Sequence, residues 1–105
     1  MSYKLGDKVW FLYQGESNIL AYAEVVQVVP NRLIVKMSHD GYTDGYMLSK
    51  DEVHQTREQL VDSLVQGFKS VLKTTLRAST FQIAIDKINE IDNWPTIDFT
   101  SGGTR

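Results

Sequence analysis

Cysteine is absent from the 105 residues, so disulfide staples and thiolate metal sites are excluded, and a reducing compartment is expected. Proline occurs only at Pro30 and Pro95, and each marks a place where a ladder or a helix must stop. No uninterrupted apolar segment approaches the ~20 residues needed to span a bilayer. Met1-Ser2-Tyr3-Lys4 leads into no stretch of signal-peptide type, so a cytoplasmic protein without a membrane anchor is expected. A dominant charge sign is missing as well. The net charge is −2, with five Lys or Arg against seven Asp or Glu in residues 1–56, and six against six in residues 57–105. That balance excludes a basic or acidic tail and gives no global attraction to nucleic acid. Walker-type phosphate loops are also lacking, since Gly102-Gly103 follows no strand.

What the chain does have is a change of hydrophobic period. Its 42% apolar content is enough for one small core, hence one domain. After a lead-in turn at Lys4-Leu5-Gly6-Asp7, residues 8–13 alternate Val9, Phe11 and Tyr13 against Trp10 and Leu12. Both faces are apolar, so this strand is expected to be covered on both sides or to carry an exposed aromatic. Gln14-Gly15-Glu16-Ser17-Asn18 reads as a loop. Residues 19–29 form a run about twice the usual strand length of ~5–6, which small barrels use by bending it. Pro30-Asn31 ends it, and residues 32–37 return as a hairpin partner. Asp40-Gly41 predicts a second hairpin turn, Asp44-Gly45 a near repeat, residues 49–53 a 3₁₀ turn, and Val53-His54-Gln55 a short fifth strand.

Gly6-Asp7-Lys8-Val9-Trp10, Ala23-Glu24-Val25-Val26 and Val53-His54-Gln55-Thr56-Arg57-Glu58 carry a resemblance. Over roughly the first 60 residues the chain resembles SH3-like small barrels of the Tudor and KOW type. It is also similar to small proteins of bacteria and bacteriophages that open with Gly-Asp-x-Val-Trp and start a helix at Thr-Arg-Glu after the barrel. The resemblance implies a binding module and leaves its partner unspecified.

Beyond Thr56 the period becomes helical. Thr56-Arg57-Glu58-Gln59 is a capping box. Leu60, Val61, Leu64, Val65, Phe68, Val71, Leu72 and Leu76 then recur over an arc of about 160° up to Arg77. Ser79-Thr80-Phe81-Gln82 offers a second box, and the next helix carries Phe81, Ala84, Ile85, Ile88 and Ile91 on one face. Two helices are expected, with one bent helix as the alternative, since neither Gly nor Pro separates them. A helix over 57–77 is ~32 Å long, and a 55-residue barrel is only ~26 Å across. The overhang predicts a homodimer built on the helices. Trp94-Pro95 ends the second helix, and Trp94, Ile97 and Phe99 either pack back or await a partner.

The fold class is therefore α+β: an N-terminal five-stranded SH3-like small β-barrel (1–56), two amphipathic α-helices (57–93), and an extended, partly flexible tail (94–105). An aromatic patch of Trp10, Tyr42, Tyr46 and Trp94 is the leading candidate site, for cation–π and stacking contacts. Its bland counterpart is core and cross-strand packing. Lys69, Lys73 and Arg77 form a basic stripe that fits either phosphate contacts or a solvated face complementing the helix dipole. The two Asp-Gly pairs lack the closing Glu of a calcium loop and read as turns. His39 and His54 lack a third ligand or a nucleophile partner. No catalytic residue, metal or cofactor is indicated. The expected function is a non-catalytic protein-interaction module, an adaptor or an inhibitor. A nucleic-acid-binding barrel, or a small-ligand or nucleotide binder at a dimer interface, is the alternative.

Overall fold

The computed structural model describes residues 2–14, 17–39 and 42–101. The loop expected at Gly15-Glu16, the turn expected at Asp40-Gly41 and the flexibility expected at 102–105 fall outside the described residues. Four strands, β1 (Lys8–Gln14), β2 (Asn18–Val29), β3 (Arg32–His39) and β4 (Tyr42–Ser49), form an antiparallel meander in the order β1-β2-β3-β4. Gly6 opens it at φ +90°, a left-handed conformation that glycine adopts without a Cβ penalty. Its amide donates to the Val25 carbonyl, and the Lys4 amide donates to the Asp7 carboxylate at 2.9 Å.

β2 is the bent strand. Its first half pairs with β1, from Gln14↔Asn18 to Lys8↔Glu24, and its second half pairs with β3. A bulge between Val25 and Gln27 turns the strand from one partner to the other. Asp44 and Gly45, read above as a second turn, instead lie inside β4 opposite Met37 and Lys36. Glycine suits that position because a Cβ there would stand 3.2 Å from Ile34 Cγ2.

The fifth strand is not the expected one. Val53-His54-Gln55 contributes a single bridge, in which His54 and Trp10 exchange two backbone hydrogen bonds of 2.8 Å. The fifth strand is β5 (Thr96–Asp98), which lies parallel to β2 at Leu20, Ala21 and Tyr22. The Leu20 amide leads into this pairing by donating to the Pro95 carbonyl at 2.8 Å. The sheet does not close on itself.

The 3₁₀ turn at Lys50–Glu52 forms where expected, held by the Glu52 carboxylate, which accepts from the Ser49 amide at 2.8 Å. Helix α1 (Arg57–Thr74) starts on Thr56, whose hydroxyl accepts from the Gln59 amide at 3.0 Å. Gln59 reaches back one residue further than a standard box, to the Gln55 amide. The helix ends at Thr74 rather than Arg77. The Thr74 hydroxyl bonds back to the Ser70 carbonyl, while Thr75 turns extended and its hydroxyl accepts from the Arg77 amide. Threonine hydroxyls compete for backbone groups in this way, so the helix breaks without Gly or Pro. Helix α2 (Ala78–Glu90) follows after three residues, with Arg77 at its N-cap and no side-chain cap. The second capping box does not form. A 3₁₀ turn at Ile91–Asn93 leads to Trp94 and β5.

Two cores result. One face of the sheet encloses Val9, Phe11, Ala21, Ala23, Val25, Leu33, Val35, Met37 and Leu48, sealed by Val53 and Phe99. On the other face Leu20, Leu60, Ile91 and Trp94 form a second cluster, which Trp10, Leu12, Val61, Leu64, Val65 and Phe68 flank. β1 is thus covered on both sides, which explains its two apolar faces. The hairpin of α1 and α2 packs mainly on itself beyond this joint. The radius of gyration is 15.1 Å, against ~13 Å for a compact chain of this length. The longest dimension is 42 Å. Among the described residues no helix is long and apolar enough to cross a membrane.

Candidate functional site

The four aromatics singled out by sequence do not converge on one patch. Trp10 is half-buried and packs on Tyr22, its cross-strand neighbour, with ring centroids 4.8 Å apart. Tyr46 stacks on Phe11 at 5.6 Å and meets Tyr13 edge-on at 5.2 Å, against the first core. Trp94 is buried in the second core, edge-on to Phe68, with its indole N–H donating to the Glu90 carboxylate at 3.4 Å. Lys87 Nζ stands 6.0 Å from the Trp94 ring centroid, the protein's own cation–π contact. Tyr42 alone is strongly exposed, at 72%. Three of the four are therefore packing residues. Ile97 and Phe99 join the first core, so the C-terminal apolar residues pack back on the body.

The basic stripe is shorter than expected. Lys69 and Lys73 are exposed on α1, whereas Arg77 lies beyond the helix end. The same helix carries Glu58 and Asp62, both exposed, near its start. An open groove of about 330 Å³ runs along this side, bordered by Val61, Val65, Asp62, Lys69 and Asp92.

A second cleft, about 220 Å³, lies where α1 meets the sheet, with Leu12, Leu60 and Leu64 as floor and Asp51, Glu52 and His54 at its rim. Burial lowers the His54 pKa below its ordinary 6.5, favouring the neutral imidazole. The side chain of His39 lies outside the described residues. Among the described residues no group of three His, Cys, Asp or Glu side chains is gathered to hold a metal.

Sequence reasoning missed several exposed large apolar side chains of the helical half. Leu76, assigned to the apolar arc of α1, is fully solvent-exposed in the link between the helices, and Phe81 and Ile83 on α2 are 41% and 55% exposed. The signal that locates Leu76 is the Thr74-Thr75 pair, which ends α1 before Leu76 can join its buried face. α1 buries only Leu60, and α2 only Ala84. Compared with protein-family models, curated proteins and solved structures, the chain matches none.

Proposed function

We propose that this protein is a non-catalytic interaction module, a small adaptor or inhibitor. In this reading an SH3-like β half serves as the platform and the helical hairpin as the docking arm. One observation carries it: each helix buries a single residue, while Leu76, Phe81 and Ile83 stand in solvent at the hairpin's far end. At 100° per residue Phe81 and Ile83 project from opposite sides of α2, so they and Leu76 offer separate apolar anchors around the hairpin's end, the kind of side chain on which protein contacts concentrate their energy. The bent β2, the 3₁₀ turn after β4 and the Trp10–His54 bridge support the SH3-like reading of the β half. With it goes the bacterial or bacteriophage origin that the opening motif suggests.

The test is reconstitution with a partner captured by the full chain and then purified. Leu76→Asp, Phe81→Asp and Ile83→Asp together should weaken binding by roughly tenfold or more, with an unchanged circular-dichroism spectrum. Binding equal to wild type in that variant sinks the reading. Lys69 and Lys73, exposed on one helix, favour nucleic acid as a second reading. Two lysines give a salt slope of only about −2, so binding would be weak and lost by about 0.2 M salt.

A further inference from the structure

We propose that α1 is a self-association surface, on which two copies of the chain pair their α1 helices antiparallel about a two-fold axis between Val65 and Gln66. This rests on the interaction-module reading and names a second copy as the partner at this face.

At 100° per residue, Glu58, Asp62, Lys69 and Lys73 fall within a strip about 60° wide on α1. Both carboxylates lie in the first half of the helix and both ammonium groups in the second. Residues four apart are helix neighbours, so within one copy Glu58 sits beside Asp62 and Lys69 beside Lys73, like charge against like. Asp62 and Lys69 are about 10 Å apart along the axis, too far to pair. Among the described residues none of these four side chains makes a hydrogen bond or an ion pair. The helix dipole accounts for Glu58 and Lys73, which lie in the first and last turns, but its influence does not extend to Asp62 and Lys69.

A second copy turned end for end resolves this arrangement. The axis between Val65 and Gln66 sets Glu58 against the partner's Lys73 and Asp62 against the partner's Lys69, each pair occurring twice by symmetry. A parallel pairing would set like charges together and is disfavoured. Val61, Val65 and Leu72, half-buried beside the strip, supply the apolar seam. The open groove of about 330 Å³ beside Val61 and Val65 receives side chains of the facing helix; Arg57 and Asp92, also on its border, are opposite in sign and leave the balance of the strip unchanged. A phosphate backbone, by contrast, would meet Glu58 and Asp62 on the same strip as the lysines.

The contact is about 27 Å long and about 15 Å wide, at the small end of specific interfaces, so charge decides its strength and a dissociation constant of the order of 10 µM is expected. Sedimentation velocity of the full chain should show a reversible dimer at about 20 mM salt, weakened roughly fivefold or more at about 500 mM. Glu58→Lys with Asp62→Lys should be monomeric, and so should Lys69→Glu with Lys73→Glu. Mixed together, the two should form a one-to-one heterodimer. Should a reversal variant fail to fold, the neutral pair Glu58→Gln with Asp62→Asn should still weaken the dimer roughly fivefold.

A wild-type chain that stays monomeric at about 300 µM and low salt overturns the proposal, as does failure of the mixture to pair. A dimer indifferent to both double substitutions overturns it too, while leaving the interaction-module reading standing on another face. A monomer that binds a single-stranded oligonucleotide, and loses it with Lys69→Glu and Lys73→Glu, overturns both.

Discussion

In the sheet half, Phe11, Leu33 and Val35 are sealed from solvent on a face that four strands and two capping segments enclose. In the helical half, eighteen residues of α1 seal only Leu60, and thirteen of α2 seal only Ala84. Both halves are amphipathic, and both alternate apolar and polar residues at their proper period. What differs is the number of sides from which each apolar face is covered. The sheet face is covered by its own bent strand and by the segments carrying Val53 and Phe99, whereas a two-helix hairpin covers each helix from one side and leaves the flanks open. Stability therefore resides in the sheet and at the joint formed by Leu20, Leu60, Ile91 and Trp94, and the hairpin beyond the joint is an arm rather than a core.

The comparison can be broken most severely at Phe11. Phe11→Ala should cost about 3–5 kcal/mol in urea denaturation, a large share of the ~5–15 kcal/mol typical of a domain. A loss below about 1 kcal/mol would mean that the sheet interior is not the seat of stability. Leu60→Ala should cost about 2–4 kcal/mol. Hydrogen exchange sharpens the point. If hairpin and sheet are separable, protection should fall in α1 and α2 and persist in β1 to β3. Equal loss in both halves would show one cooperative unit. Thr56→Ala should cost about 1 kcal/mol, the usual worth of an N-cap, with the first turn of α1 fraying by NMR.

The pH dependence of His54 is a smaller effect. Its proton affinity is depressed in the folded protein by burial, so below pH 6.5 the unfolded chain takes up a proton that the folded chain refuses. The stabilisation is complete above pH 6.5 and is lost as pH falls through the depressed value. His54→Gln should flatten that part of the curve, and an unchanged acid limb in the variant would remove His54 as its cause. Smallest of all, Leu76→Ser should change stability by no more than about 0.5 kcal/mol, because the side chain touches nothing that folding buries.

Much of the fold was legible because its signals are local. The capping residue Thr56 shares its hydrogen bond with Gln59, three residues on. The 3₁₀ turn rests on Ser49 and Glu52, again three apart. Val9 and Phe11 against Trp10 and Leu12 announced a strand either covered on both sides or bearing an exposed aromatic, and the two clusters, one on each side, decide for the first. The candidate site was less legible. Trp10, Tyr46 and Trp94 are the residues a binding surface favours and also those a core favours, and composition does not separate the two uses. The early end of α1 was written in Thr74-Thr75, but as side-chain hydrogen bonds rather than as a helix breaker.

The sequence by itself determined the elements: where the period changes from two to 3.6, where caps and turns fall, and which face of each element is apolar. These depend on residues within a few positions of one another, and neighbours in the chain meet in any compact state. Only the tertiary structure decided that Thr96–Asp98, not Val53-His54-Gln55, supplies the fifth strand, and that Trp94 closes the joint between sheet and hairpin. It alone also left Leu76, Phe81 and Ile83 in solvent. A three-residue parallel pairing across some seventy-five positions leaves no periodic trace in the chain. It forms because β3 leaves the edge of β2 beyond Glu24, and the backbone groups exposed there must be satisfied by whatever segment packing brings within reach.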